Sequence, residues 1–349
     1  MLLRRLSPSS LPLRILPSQT SIPFARDARL SRKFATSPGD VSVSGVSEVQ
    51  GPLDTPSIKT LVWETSAPLV IRNGHDLPAI TKWFASGHGE RSPAFTEYFR
   101  SFEELYMPYE FTTDLSHSKG WNTFLEWMRG HSSVQVPALE DIISSSLSRA
   151  QDGPATFHQF QAPLQLLTCA SQYNCNAHED SLLTQLYIAQ SDIGELPAEL
   201  RHDLPVPDLV KNAPKGDIYS SSIWLGLQPT YTPLHRDPNP NIFCQLHGHK
   251  TVRFMPNKVA LDIYKHIQRI LQSGGHASMR GAEMMQGPER DLLHKATWHP
   301  EAQDAHHAHI SEATVGPGDA LYIPKGWWHT FVSRGPVGSI NASANWWCR

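Results

Sequence analysis

Three side chains in this sequence have the types and spacing to hold one metal ion. His235 and Asp237 lie two residues apart in TYTPLHRDPNPNIF, and His329 follows in GDALYIPKGWWHTF. On a strand, residues i and i+2 point to the same face, so both can converge on an ion while Arg236 points away. His329 must arrive from elsewhere, after the turn IPKGWWH. Two imidazoles and one carboxylate on one octahedral face leave positions open. That suits an Fe(II) oxygenase, in which a co-substrate and O2 both need to reach the metal. A structural zinc site would use four ligands. The four cysteines, Cys169, Cys175, Cys244 and Cys348, include no CxxC pair. The competing reading is an ordinary polar histidine in a β core.

A His-x-Asp pair alone is weak evidence, because a chain with 18 His is expected to hold one by chance. This chain has a second, His178 and Asp180, in the polar stretch SQYNCNAHEDSLL. There Asp180 reads as a helix cap and His178 as an exposed residue.

If the metal serves an oxygenase, its co-substrate needs a pocket. 2-Oxoglutarate chelates iron at one end and carries a free carboxylate at the other, which calls for a cation and a hydroxyl inside the barrel. Lys250 lies on the next strand with Val252 and Phe254 on its own face. A lysine on an apolar face is costly unless partnered; the alternative is a stem that snorkels to solvent. Thr232, three residues before His235, offers the hydroxyl.

These residues need strands to position them. Tyr219 to Leu227 alternates and is rich in β-formers. Asn241–Leu246 and Lys250–Met255 read as two strands joined by His247-Gly248-His249 as a hairpin turn. Ala320–Ile323 follows the turn Gly316-Pro317-Gly318-Asp319, and Ser339 to Trp347 is the last strand. Leu69–Ile71 reads as a short buried strand, Ile80–Phe84 as the start of a helix, and Trp121–Met128 and Leu139–Leu147 as amphipathic helices. The expected class is mainly β with flanking helices (α+β): a double-stranded β-helix, or jelly roll, with an N-terminal helical region. The expected divisions are a leader over 1–34, a linker over 35–60, a helical part over 61–154 and a β core over 155–349. A helical, His-rich insertion at 257–312 interrupts the core. Its histidines, His294, His299, His306, His307 and His309, read as a solvated cluster, with a second metal site as the alternative.

Residues 1–34 hold seven basic residues and one acid, among much Leu and Ser. Arg-rich, Ser-rich and acid-poor is the composition of a mitochondrial transit peptide. A plain basic tail would instead leave the protein in the cytoplasm or nucleus. The whole chain is formally −3, so the remainder is −9. It holds no Lys/Arg cluster of the kind that releases counterions from nucleic acid. No apolar run reaches the length of a membrane span.

Several segments, in order, resemble the Jumonji-C (JmjC) oxygenases, and among them the small cupin-8 hydroxylases of the arginyl-hydroxylase and factor-inhibiting-HIF groups. They are LYIAQ at 186–190, DLPVPDL at 203–209, GLQPTYTPLHRDPNPNIFCQLHGHK at 226–250, PGDALYIPKGWWH at 317–329 and NWW at 345–347. The resemblance implies iron ligands at His235, Asp237 and His329, and Lys250 on the distal carboxylate of 2-oxoglutarate. It implies hydrogen bonds to that co-substrate from Thr232, Asn241 and Tyr187. Trp346 would line the pocket, although strand parity could favour Asn345 and Trp347. Gln190 and Trp224 fall on the substrate side. The implied activity is Fe(II)-, 2-oxoglutarate- and O2-dependent hydroxylation of a protein side chain. A hydroxylase or demethylase acting on RNA, histone or a small molecule and a non-catalytic binding module are the alternatives.

Overall fold

Alternating β-branched, aromatic and polar residues build two facing sheets. The computed structural model describes residues 43–85, 94–113, 118–130, 140–145 apart from 142, 156–272, 285–299 and 309–349. The leader and residues 35–42 lie outside them, as do residues 139, 142, 146 and 147 of the helix expected at 139–147. Among the described residues no helix is long and apolar enough to cross a membrane.

In chain order the strands are β1 (Ser44–Gly45), β2 (Ser47–Gln50), β3 (Leu69–Arg72), β4 (Tyr106–Thr113), β5 (Thr156–Pro163), β6 (Tyr187–Asp192), β7 (Ile218–Leu227), β8 (Tyr231–Arg236), β9 (Asn241–His247), β10 (His249–Met255), β11 (Ser311–Val315), β12 (Ala320–Ile323), β13 (Trp328–Arg334) and β14 (Ile340–Cys348). A five-stranded sheet runs β1-β11-β10-β13-β8 and a nine-stranded sheet runs β2-β3-β12-β9-β14-β7-β6-β4-β5. Their facing sides share one apolar layer. Val70, Phe243, Leu321 and Ile323 from the large sheet meet Val252, Phe254, Ala313, Val315 and Phe331 from the small one. This is the expected double-stranded β-helix.

Each outer face is covered. Helices α1 (Ser118–Arg129) and α2 (Gln165–Asn176) pack with other N-terminal elements on the large sheet. The insertion supplies α3 (Asn257–Leu271) and α4 (Gly287–Trp298). Val259, Ile263, Tyr264, Ile267 and Leu293 bury Leu234, Met255 and Trp328 on the back of the small sheet. The described part of the insertion is therefore chiefly a buttress behind the strands that carry His235 and His329.

Three sequence expectations fail here. Residues 44–50 are not linker. β1 pairs parallel with β11 in the small sheet, and β2 pairs parallel with β3 in the large one. Val46 between them packs into the inter-sheet layer. Low periodicity hid this segment, because each of its strands is too short to show a pattern. Residues 106–113 form β4, which pairs with β5 and β6, so the region before 155 is continuous with the large sheet. Finally, His247-Gly248-His249 is not a hairpin turn. β9 pairs with β12 and β14, whereas β10 pairs with β11 and β13. Gly248, at φ +66°, carries the chain from one sheet to the other. Two adjacent alternating runs look alike whether they pair or part company.

The DLPVPDL segment has a structural job. Asp203, fully buried, accepts hydrogen bonds from Lys82 Nζ (2.6 Å), Trp83 Nε1 (3.0 Å) and Tyr98 Oη (2.6 Å). Burial pushes its carboxyl up, and these donors outweigh that and hold it below the ordinary value. Asp203→Ala would strand the Trp83 donor in the core and remove the acceptor of Lys82 and Tyr98 at its edge. The expected loss is on the order of 3 kcal/mol in urea unfolding.

His75 adds a pH dependence. Burial drives its imidazole down to about 4, from 6.5 in the unfolded chain. The unfolded state binds the extra proton first, so the His75 contribution is present above pH 6.5 and lost as pH falls toward 4. The urea midpoint should drop between pH 7 and pH 5. His75→Gln should flatten that slope.

Candidate active site

His235 is the penultimate residue of β8, and Asp237 follows the strand's last residue, Arg236; β13 carries His329 directly opposite His235 in the antiparallel register. The three are 7, 6 and 1% exposed. Their ligand atoms lie within 4.8 Å of one another. His235 Nε2 is 3.8 Å from Asp237 Oδ1, and His329 Nε2 is 3.7 Å from Asp237 Oδ2. The other ring nitrogens face main-chain oxygens: His235 Nδ1 that of Pro233 at 2.8 Å, His329 Nδ1 that of Trp327 at 3.0 Å. A carbonyl oxygen can only accept, so each Nδ1 donates its hydrogen. In the neutral ring, Nε2 then carries the lone pair, aimed at its two counterparts.

Asp237 is held from outside the trio. Asn241 Nδ2 donates to Asp237 Oδ2 at 2.9 Å, and Asn345 Nδ2 donates to Asn241 Oδ1 at 2.9 Å. Burial raises the Asp237 carboxyl. The His329 and His235 imidazoles, with hydrogen bonds from Asn241 and Trp347, more than offset it and leave the group below its ordinary value. An anionic oxygen and two imidazole nitrogens, buried and pre-aimed, fit a divalent iron and leave the cavity side open to further ligands.

The cavity beside the triad is walled by Tyr187, Trp224, Thr232, Phe243, Lys250, Phe331, Ser343, Asn345 and Trp347. Lys250, 4% exposed, enters from β10. Its Nζ donates to Tyr187 Oη at 3.2 Å and Ser343 Oγ at 3.1 Å, and lies 5.5 Å from the Phe243 ring centre. The lysine thus points inward, as expected, and Thr232 lines the same space. A roomier cavity, about 670 Å³, lies among His247–His249, Arg334–Ile340 and α2, and contains none of these residues.

The structure corrects the expectations for Trp346 and Asp180 and shows where Asn241 and Gln190 lie. Trp346 does not face the cavity. It packs with Ala342, Ala344 and Cys348 in the core behind the large sheet, while Ser343, Asn345 and Trp347 take the cavity side. Alternation on β14 enforces that choice. Asn241 reaches the cavity wall, but its amide hydrogen-bonds Asp237 and its carbonyl accepts from Asn345. Gln190 is exposed, at φ +54°, where the β6–β7 register shifts, and is not part of the cavity wall. Trp224 is part of it, packed with Ala189 and Trp347. Asp180 caps no helix: it sits inside a single 3₁₀ turn, Glu179–Ser181, bound to His178 and Lys119 at the surface. Ser343, Phe243 and Phe331 escaped the sequence reading, although same-face parity with Asn345 and Lys250 would have found the first.

Among the described residues His235, Asp237 and His329 are the one set of three with metal-ligand geometry. His294 and His299 are tilted against each other with ring centres 5.3 Å apart; His306 and His307 lie outside the described residues.

Comparison with known proteins agrees with this architecture. The sequence is similar to "Lysine-specific demethylase JMJ30" of Arabidopsis thaliana, 26% identical over 49% of this chain and 35% of that protein. It is also similar to "Jumonji C domain-containing protein 5" of Drosophila melanogaster, 26% identical over 46% and 36%. For "Lysine-specific demethylase 8" of Danio rerio the figures are 26% over 41% and 32%. The chain therefore spans about a third of the length of these relatives. The profile described as "Cupin-like domain" matches residues 57–349, nearly all of the described fold. The chain belongs to the cupin-like domain family, with JmjC proteins among its relatives.

Proposed function

We propose that this protein is an Fe(II)- and 2-oxoglutarate-dependent dioxygenase that hydroxylates a protein side chain. The observation that carries it is the meeting of His235, Asp237 and His329 with the Lys250 ammonium in one buried cavity. Iron(II) held by His235, Asp237 and His329 would supply the redox chemistry, in which O2 and 2-oxoglutarate give succinate, CO2 and a hydroxylated substrate C–H position. The protein's part is positional. His235 and His329 present Nε2, kept in that orientation by main-chain carbonyls. Asp237 contributes the negative charge, steadied by Asn241. Lys250 holds the far carboxylate of the co-substrate, and Thr232, Tyr187 and Ser343 offer hydroxyls beside it. Phe243 and Phe331, stacked with ring centres 5.0 Å apart, give the same cavity an apolar wall.

A protein substrate is supported by the names of two relatives, which specify action on lysine. N-demethylation is the second reading, because a hydroxylated N-methyl carbon leaves as formaldehyde. The expected result for purified protein with Fe(II), ascorbate and 2-oxoglutarate is slow succinate release that a substrate accelerates. Mass spectrometry of proteins from deletion cells should then show lost +16 Da modifications; gained +14 Da groups would favour demethylation. No succinate under these conditions would end the proposal. The composition of residues 1–34 supports a mitochondrial location, and a fluorescent fusion should lose it when 1–34 are removed.

A further inference from the structure

We propose that Gly226 is a positioning residue for the co-substrate: by lacking a side chain it lets Tyr187 lie across β7 and aim its hydroxyl at Lys250. This rests on the reading of Lys250 as the anchor for 2-oxoglutarate. Gly226 on β7 pairs directly with Tyr187 on β6. A methyl group at Gly226 would stand 2.0 Å from Tyr187 Cδ2 and 2.9 Å from Cε2. Carbon atoms in contact need about 3.5 Å, so the ring would have to move by roughly 1.5 Å. Its hydroxyl, at the far end of the ring, is 3.2 Å from Lys250 Nζ and has little room to retreat before that hydrogen bond is lost.

The Tyr187 ring packs beside Ala189, Trp224 and Trp347. Tyr187 meets Trp224 only as a tilted pair with centres 6.0 Å apart. The wall of the cavity therefore depends on an empty position in the neighbouring strand. Gly226 is not needed for a left-handed backbone, since its φ is ordinary; the requirement is space.

The test separates co-substrate binding from metal binding in the full-length protein, with Mn(II) in place of iron so that nothing turns over. Gly226→Ala should keep the Mn(II) Kd within about twofold and raise the 2-oxoglutarate Kd about tenfold or more, the scale of one lost charge-assisted hydrogen bond. Tyr187→Ala should give a comparable rise. Adding Gly226→Ala to Tyr187→Ala should then change the 2-oxoglutarate Kd by less than about twofold, because the ring in question is gone. Ordinary 2-oxoglutarate binding by Gly226→Ala overturns the proposal. So does a full further loss in the double variant, which would assign the effect to the β6 backbone, whose Leu186 carbonyl oxygen is 2.8 Å from the same methyl position. If Gly226→Ala fails to fold, a double variant that folds and binds Mn(II) still supports the ring contact, and a double variant that also fails overturns it. A wild-type protein that binds Mn(II) but no 2-oxoglutarate is a different result: it removes the anchor reading of Lys250, and this proposal with it.

Discussion

Asp237→Ala should abolish 2-oxoglutarate turnover, with succinate release falling by about a thousandfold or more. Loss of a partner that only orients a metal ligand typically costs 10- to 100-fold, and loss of a ligand itself must cost more. The carboxylate is also the one anion of the trio, so its removal leaves two buried imidazoles with no opposing charge from that position. Metal titration with Mn(II) should show an affinity loss of at least about 100-fold for Asp237→Ala, His235→Ala and His329→Ala alike. Asn241→Ala should fall between, since it only steadies Asp237 Oδ2 from 2.9 Å. The other His-x-Asp pair is the internal control. His178→Ala and Asp180→Ala lie at the surface, and neither should change metal affinity or turnover. Wild-type turnover by any of the three triad variants would end the proposed chemistry.

Lys250→Met should raise the 2-oxoglutarate Kd by about 100-fold or more while metal affinity stays close to wild type. A buried ammonium against a carboxylate is a charge-assisted pair in a low-dielectric cavity, and truncating one partner of such a pair costs several kcal/mol. The loss should appear in KM for 2-oxoglutarate, with kcat partly recovered at saturation, because the distal carboxylate is bound equally in ground and transition states. A second consequence has the opposite sign. Without co-substrate, the wild-type protein keeps a buried ammonium at the cavity wall, its Nζ on the hydroxyls of Tyr187 and Ser343. Methionine fills similar volume without desolvating a charge, so Lys250→Met should match or exceed the wild type in thermal stability when no 2-oxoglutarate is present. A variant that loses both co-substrate and stability would make Lys250 a structural residue instead. Lys250→Arg is not a conservative replacement here, because a planar fork does not fit a space shaped for a point charge.

Much of the site was legible in one dimension. The i, i+2 spacing of His235 and Asp237 on a β-forming run already placed two ligands on one face. Lys250 between apolar neighbours announced an inward charge. Alternation along Ser339–Trp347 held the answer to which of Trp346 and Trp347 faces the cavity, and only a shared reference point was missing: Ser343 meeting Lys250. Local period and residue chemistry determined those features, because a strand's two faces are set by its own backbone. What only the tertiary structure decided were the relations between strands. Whether β9 turns back on β10 or hands the chain to the opposite sheet, that residues 44–50 lace the two sheets together, that β4 joins the large sheet, and that Gly226 stands opposite Tyr187 all depend on pairing between distant segments. Such pairings are selected by the packing of the whole core. A strand carries its pattern in its own residues, but its neighbour is chosen by every other strand competing for the same edge.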